Sequence, residues 1–376
     1  MDLKEIRLKI DEVDKEIVDL FERRMELASH VAEYKRSVGK PILDKERETQ
    51  KIQALQAMVC NDFNQIGIKE LFTQIMSISR LYQYQLLANE DFTLEKSFTT
   101  VEKLPINEDT KVCFQGVPGA YSEQALVQFF GEDVRRFHVT EFKDIMKAVQ
   151  EEDADYGILP IENSSAGTVG GIYELLMEYD NLTIVGQEIV KVEHALLGVE
   201  GTDLSTIERV YSHPQGLLQC ASFLNQYDWD QIGVPNTAIA AEKIQNDKDV
   251  RKAAIASERC GTLYNLNVIQ SCINQNPNNA TRFIILANKN IYRKDAEKIS
   301  ISFTLPHESG SLYKILAHFI FNNVNMNHIE SRPLQNKQWE YRFFVDIDGN
   351  LNDTAVRNAL HGIRQETMEF RIIGNY

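Results

Sequence analysis

Pro160-Ile-Glu-Asn-Ser-Ser-Ala-Gly-Thr-Val-Gly-Gly171 follows the apolar run Tyr156-Gly-Ile-Leu159 and precedes Ile172-Tyr-Glu-Leu-Leu-Met-Glu178. The run reads as a buried strand, the later segment as a helix, and the stretch between them as the turn that joins the two. Small, hydroxylated and glycine residues at such a junction leave backbone N–H groups uncovered, which suits an anion. Glu162, Asn163, Ser164 and Thr168 add side-chain donors and acceptors. Taken alone, the stretch is equally a polar loop whose glycines serve tight turns.

The surrounding sequence repeats the arrangement. Lys111-Val-Cys-Phe-Gln115 is a strand that runs into Gly116-Val-Pro-Gly-Ala-Tyr-Ser122 and a helix from Glu123. Ser212-His-Pro-Gln215 opens a helix expected to reach Asn225, with Pro214 in its first turn. Asn236-Thr-Ala238 opens another, and Asn279-Ala-Thr-Arg-Phe283 leads into the strand Ile284-Ile-Leu-Ala287. Each is an ordinary cap when read singly. Several within one run of alternating strands and helices point to a shared crevice at strand carboxyl ends. The expected unit, over 111–290, is α/β with its sheet covered on both faces. Residues 91–110 lack periodicity and read as a linker.

At 376 residues and 43% apolar, the chain has room for two or three domains with ordinary cores. No apolar run approaches a membrane span. The start, Met1-Asp-Leu-Lys-Glu-Ile-Arg7, lacks the apolar region of a signal peptide. Five cysteines without a CxxC pair suit reduced thiols in a cytoplasmic protein. No cluster of His, Cys and carboxylates has zinc spacing, so no metal is expected. A net charge of −15 argues against nucleic acid. Ten of those charges fall within 111–290, so an anion bound there must be held by local donors against a repulsive field.

In the first ninety residues the apolar positions Ile6, Ile10, Val13, Ile17, Leu20, Leu27 and Val31 form a helical stripe. The member expected after Leu20 is Arg24, a cation on an apolar seam, costly unless it meets an anion. Lys35 lies about 20° off the same face, whereas Arg7 is about 100° away, so one helix cannot aim all three at one point. This helix is expected from Leu3 to Val38, a second after the N-cap Asp44, and a third from Gln65 to Ala88. On the third, Ser79 and Gln83 interrupt the row Phe72, Met76, Leu86. Three helices, one of them very long, cannot cover each other's faces, so a helical dimer is expected. A lone arginine could snorkel or pair with a nearby acid. Arg24 together with Lys35, Ser79, Gln83, Asp44, Arg47 and Glu48 instead makes a pocket for a compact dianion.

The last segment, 297–376, alternates as βαββαβ, a ferredoxin-like α+β arrangement. It has no credible nucleophile or acid–base pair and reads as non-catalytic. Gly310 at a helix start suits the carboxylate of an amino acid.

Three resemblances follow from these residues. Residues 1–90, through Arg7, Asp14, Arg24, Lys35, Asp44, Arg47, Glu48, Ser79 and Gln83, resemble the all-helical chorismate mutase family. The resemblance implies that Arg24 and the partner subunit's Arg7 clamp carboxylates and that Lys35 and Gln83 address the ether oxygen. Asp44, Arg47, Glu48 and Ser79 would hold the ring hydroxyl and one carboxylate. Residues 111–290, through Gly116-Val-Pro-Gly-Ala-Tyr-Ser122, Pro160-Ile-Glu-Asn-Ser164, Ser212-His-Pro-Gln215 and Thr281-Arg-Phe283, are similar to prephenate dehydratase. That family has two α/β lobes about a cleft, as in periplasmic binding proteins; Ala120 stands where Thr is common. The likeness implies Thr281 as the hydroxyl at the leaving group, with Ser122, Glu162, Asn163, Ser164, Thr168 and His213 binding substrate. No cofactor is implied, because the ring is the electron sink. Gly310-Ser-Leu312 and Glu330-Ser-Arg332 resemble the ACT regulatory module, where Gly310, Ser311, Leu312, Glu330, Ser331 and Arg332 would line a phenylalanine pocket; Ser311 replaces the more usual alanine.

Together these imply a multidomain, bifunctional isomerase and lyase of phenylalanine biosynthesis. It would take chorismate and prephenate, bind L-phenylalanine allosterically, and form a homodimer or homotetramer. Two alternatives remain: a dehydratase preferring arogenate, and a non-catalytic amino-acid or anion sensor.

Overall fold

The computed structural model describes residues 2–91, 98–334 and 339–376, with the backbone alone for 88–91. The chain forms two compact units, one built from 1–97 with 297–372, the other from 98–296 with 373–376. The helical segment and the C-terminal segment, expected as separate domains, therefore share one unit.

Helix α1, Leu3–Ser37, starts at Asp2, whose carboxylate accepts from Glu5 N at 2.9 Å, and stops before Gly39, at φ 66°. Helix α2, Lys45–Gln56, is capped by Asp44, which accepts from Arg47 N at 3.0 Å. Helix α3, Asp62–Asp91, is longer than its expected span. On α1 only Ala28 and Ala32 are buried, while Ile17 and Leu20 stay 54% and 65% exposed. The apolar stripe is real, and among the described residues nothing covers it.

The middle unit opens with β1, Thr99–Val101, inside the expected linker. Its parallel partner lies far ahead at Ile291–Arg293, and three β-branched residues carry no readable period; residues 92–97 of that linker lie outside the described residues. There follow β2 Lys111–Gln115, α4 Tyr121–Phe130, β3 Arg135–Val139, α5 Phe142–Gln150, β4 Tyr156–Asn163, β5 Gly167–Thr168, α6 Ile172–Glu178 and β6 Thr183–Lys191. Next come β7 Ala195–Gly198, β8 Arg209–Ser212, α7 Pro214–Gln219, α8 Ala221–Leu224, β9 Asp230–Gly233, α9 Thr237–Asp247, β10 Lys252–Ala256, α10 Glu258–Leu263 and β11 Asn267–Gln270. Strands β12, Ala280–Ala287, and β13, Ile291–Arg293, complete the unit.

Two sheets make two lobes. The first orders β6-β12-β4-β2-β3 and the second β11-β7-β10-β8-β9. In the second, Leu197 and Ala254 face one core while Leu196 and Ile255 face another, so helices cover both sides. The helix expected from Gln215 to Asn225 breaks at Cys220, which leaves helical geometry at φ −108°, ψ 11°. A larger correction concerns the stretch after Leu159. Strand β4 does not end there but runs on to Asn163, because it pairs antiparallel with β12, Thr281 opposite Asn163. Gly167, at φ 79°, then turns the chain back so that Thr168 pairs with Glu162. The expected turn is therefore a hairpin, and the helix expected at Ile172–Glu178 follows it as α6.

The C-terminal segment forms β14 Lys298–Thr304, α11 Ser311–Phe321, β15 Met326–Pro333, β16 Tyr341–Asp348, α12 Thr354–Glu366 and β17 Glu369–Asn375, of which residues up to 372 belong to the first unit. Strand order β15-β16-β14-β17 is the ferredoxin-like one. Helices α11 and α12 touch at Gly362, where a Cβ would lie 2.3 Å from His318 Nδ1. Tyr84 of α3 packs on the same spot, its ring centroid 5.9 Å from that of His318 and 5.6 Å from that of His361.

Candidate active sites

A cavity of about 330 Å³ opens among the three N-terminal helices, and Arg24, Lys35, Asp44, Arg47, Glu48, Ser79 and Gln83 all line it. Arg24 Nη1 donates to Ile75 O at 3.3 Å and to Ser79 Oγ. Lys35 Nζ donates to Ile42 O. Burial lowers the pKa of both cations, with Glu48 opposing the shift at Arg24 and Asp44 and Glu48 opposing it at Lys35. Gln83 Nε2 donates to Ser79 O at 3.1 Å, while its Oε1 is buried and meets no hydrogen-bond partner among the described residues. A cavity that holds two partly desolvated cations suits an anion, and the open Gln83 Oε1, which can only accept, suits a donor such as a hydroxyl. Arg7 is exposed on α1 and does not line it.

One residue of this cavity escaped sequence reasoning. Arg80 is 5% exposed; its Nη1 donates to both carboxylate oxygens of Glu48 at 2.7 Å and its Nε to Glu366 Oε1 at 2.9 Å. Burial would lower its pKa, but Glu366 and Glu48 reverse that and raise it. Its second partner lies 286 residues on, beyond any local pattern.

In the middle unit the ladder between β4 and β12 brings Asn163 to Thr281. Asn163 Nδ2 donates to Thr281 Oγ1 at 2.9 Å, Asn279 Oδ1 at 3.0 Å and Ala280 O at 3.2 Å. Its Oδ1 accepts from Ser165 N at 3.0 Å and Ala166 N at 2.9 Å. Those N–H groups were expected to seat an outside anion; the asparagine of the same stretch already satisfies them. Thr281, 8% exposed, thus accepts at its oxygen and keeps its own proton for a further acceptor.

The other expected residues divide. Ser164 clamps the two strands: its N donates to Ala280 O at 2.9 Å and its Oγ accepts from Ala280 N at 2.9 Å. Glu162 was expected among the substrate-binding residues. Adjacent strand residues point to opposite faces, and Glu162 pairs with Arg282, Oε2 to Nη2 3.3 Å, on the side away from Asn163 and Thr281. Thr168 sits opposite Glu162 in the hairpin. Ser122 Oγ donates to Gln115 O and so braces the turn at Gly116. The anion seat expected at that turn is filled from within: Gly119 N donates to Glu123 Oε2 at 2.7 Å, and Arg136 approaches Glu123 at 3.2 Å. Gly116 itself has φ 115°, and a Cβ there would lie 2.9 Å from Asn236 Nδ2 in the other lobe. His213 is the exposed N-cap of α7, its Nδ1 accepting from Gln215 N at 3.1 Å. Asn279, 1% exposed, was missed as the third member beside Asn163 and Thr281.

At the C-terminal segment Gly310, at φ 80°, caps α11, and with Ser311 it lines a cavity of about 600 Å³. Thr49 and Ile52 of α2 and Thr73 and Gln74 of α3 form the opposite wall. Leu312 follows on α11 and does not line it. Glu330 and Arg332 pair with each other on β15 at 3.4 Å, Ser331 points the other way, and none of the three lines this cavity. Within one chain the two motifs do not meet there.

Comparison with known proteins agrees with the division. Residues 6–84 match the family model for chorismate mutase type II, and residues 112–291 that for prephenate dehydratase. The bifunctional chorismate mutase/prephenate dehydratase of Escherichia coli K12 is 33% identical over 99% of this chain and 95% of its own. The protein so named from Aquifex aeolicus is 30% identical over 100% of this chain and 98% of its own. Among solved structures, prephenate dehydratase from Arthrobacter aurescens, in complex with L-Phe, is 30% identical with a TM-score of 0.66, over 71% of this chain and 89% of that one. The chain belongs to the bifunctional chorismate mutase/prephenate dehydratase family.

Proposed function

We infer that the chain runs two consecutive reactions of phenylalanine biosynthesis at two separate sites. Chorismate is rearranged to prephenate in the helical cavity, and prephenate becomes phenylpyruvate, CO2 and water at the Asn163–Thr281 pair. The first step is pericyclic and needs no acid or base. It gains from holding the folded substrate and from stabilising the ether oxygen as that oxygen gains charge. Arg24 takes a carboxylate, Lys35 Nζ and the second N–H of Gln83 Nε2 donate to the ether oxygen, and Asp44, Arg47, Glu48 and Ser79 hold the ring hydroxyl and the second carboxylate. The partner subunit's Arg7 supplies the remaining cation. This rests on a dimer in which the exposed stripe of α1, Ile17 and Leu20 included, is covered by a second copy.

The observation that carries the second site is the direction of one hydrogen bond. Because Asn163 donates to Thr281 Oγ1, the threonine keeps its own proton to donate to a leaving hydroxyl. As the ring carboxylate leaves as CO2, its bonding electrons enter the ring and expel hydroxide. A positioned donor at that oxygen lowers the barrier without a full proton transfer from a group as weakly acidic as threonine. Glu162, on the other face, takes no part. His213 and Ser164 shape the site as cap and clamp.

Residues 1–90 are the mutase, 111–290 the dehydratase and 297–376 an ACT module that binds L-phenylalanine. The last assignment is supported by Gly310 at a helix start and by the L-Phe in the Arthrobacter relative. Among the described residues no helix is long and apolar enough to cross a membrane, and the chemistry suits a cytoplasmic enzyme. Chorismate supplied to the full chain is expected to yield phenylpyruvate, at a rate that falls with added L-phenylalanine. Lack of turnover would leave only the sensor reading, and loss of arogenate faster than of prephenate would change the second substrate.

A further inference from the structure

Glu48 and Arg80 line both the 330 Å³ cavity among the N-terminal helices and the 600 Å³ cavity at Gly310. They are the wall between the two. Arg80 spends one nitrogen on both oxygens of Glu48, at 2.7 Å, and another on Glu366 at the end of α12, at 2.9 Å. The Glu366 side chain is 6% exposed and also lies 3.6 Å from His318 Nε2 on α11. Burial pushes the Glu366 pKa up, but His318 and Arg80 together pull it below its ordinary value, so the carboxylate stays charged.

A guanidinium this buried is stable only while its acceptors are in place. Glu48 is held on one side by a cation whose own orientation is set from α12. The planar fork of arginine makes the two bonds geometrically dependent, since turning toward one carboxylate turns it away from the other. Arg80 Nη1 and Nε are both engaged by carboxylates of the chain. Its effect on the reaction passes through Glu48.

We propose that Arg80 is a positioning residue of the mutase site, anchored by Glu366, so that mutase turnover depends on the C-terminal segment holding its place. This rests on the assignment of the mutase reaction to the helical cavity.

The test uses the full chain with Glu366→Gln and, separately, Arg80→Lys. Chorismate kcat and KM are measured together with prephenate turnover and Tm. Both variants are expected to lower mutase kcat/KM by about threefold to thirtyfold, the range exerted by residues one step removed from a ligand. The loss should fall mainly in KM, with prephenate turnover within about twofold of the parent, which also reports that the chain has folded. Restoring the acid with Glu366→Asp should recover part of the loss. Mutase kcat/KM unchanged in both folded variants would overturn the proposal. So would a parallel loss of both activities with Tm, which marks a purely structural role. If the parent itself did not rearrange chorismate, the failure would lie in the mutase assignment and not in Arg80.

Discussion

Asn163 Nδ2 lies 2.9 Å from Thr281 Oγ1 and donates to it, which occupies a lone pair of the hydroxyl oxygen and leaves the threonine proton for another acceptor. The same asparagine closes its own turn through Ser165 and Ala166, so the residue that donates to the hydroxyl is itself held rigidly. Replacing it with alanine should lower dehydratase kcat by about 10²-fold, the usual size for a lost donor arrangement at a reacting oxygen. It should also cost ~1–2 kcal/mol of stability from the opened turn. Phenylpyruvate formation from prephenate and a denaturant melt would measure the two effects, and mutase turnover should not change.

Arg24→Ala should abolish mutase turnover. Arg24 is the cation on the apolar seam of α1, hydrogen-bonded to Ile75 O and Ser79 at the wall of the cavity. Dehydratase turnover by the same preparation should match the parent. Full mutase activity in this variant would move the site elsewhere.

The mutase should also have an early alkaline limit. Burial holds Lys35 below its ordinary value of 10.5, against the pull of Asp44 and Glu48. As pH rises through the lowered value, the folded protein loses the ammonium while the unfolded chain still carries it. Stability therefore rises across that window as an unfavourable buried charge is shed, while kcat/KM for chorismate falls. Lys35→Arg should move the alkaline limb upward, because arginine stays charged. A limb at the same pH in that variant would assign it to another group.

Gly116→Ala should injure the dehydratase through its fold. The new Cβ would combine a φ of 115° with a 2.9 Å approach to Asn236 Nδ2. A cost of ~1–3 kcal/mol is expected for a non-glycine residue so placed. Its signature would be a lowered Tm with prephenate KM raised and mutase turnover intact.

Leu20→Glu should remove mutase activity by separating subunits. Leu20 is 65% exposed on α1, along the stripe assigned to a second copy. A charge there would face an apolar partner. Sedimentation should show a smaller species, and activity should recover with protein concentration. A variant of unchanged size and full activity would leave the stripe without a partner.

Sequence legibility followed the range of the interactions. The three N-terminal helices were readable because their stripe repeats every three or four residues and Asp44 is a local cap. The placement of Arg24, Lys35, Ser79 and Gln83 on one cavity follows from the same period. Arg80 was not readable, because its role is set by Glu366, and nothing near residue 80 signals that partner. Strand β4 was cut short at Leu159 because Glu-Asn-Ser looks like a loop. Its extension depends on pairing with β12, more than a hundred residues away. Strands of three or four residues, such as β1, β9 and β13, are too short to show a period at all.

The claim that two independent sites share this chain is tested most directly with Thr281→Val, which keeps the shape of the side chain and removes its proton. Supplied with chorismate, this variant should convert it to prephenate at the parent's rate and accumulate it, with phenylpyruvate formation lowered by about 10²-fold or more. Phenylpyruvate appearing at the parent's rate would contradict the account, because the hydroxyl to which Asn163 donates would then have no part in the reaction.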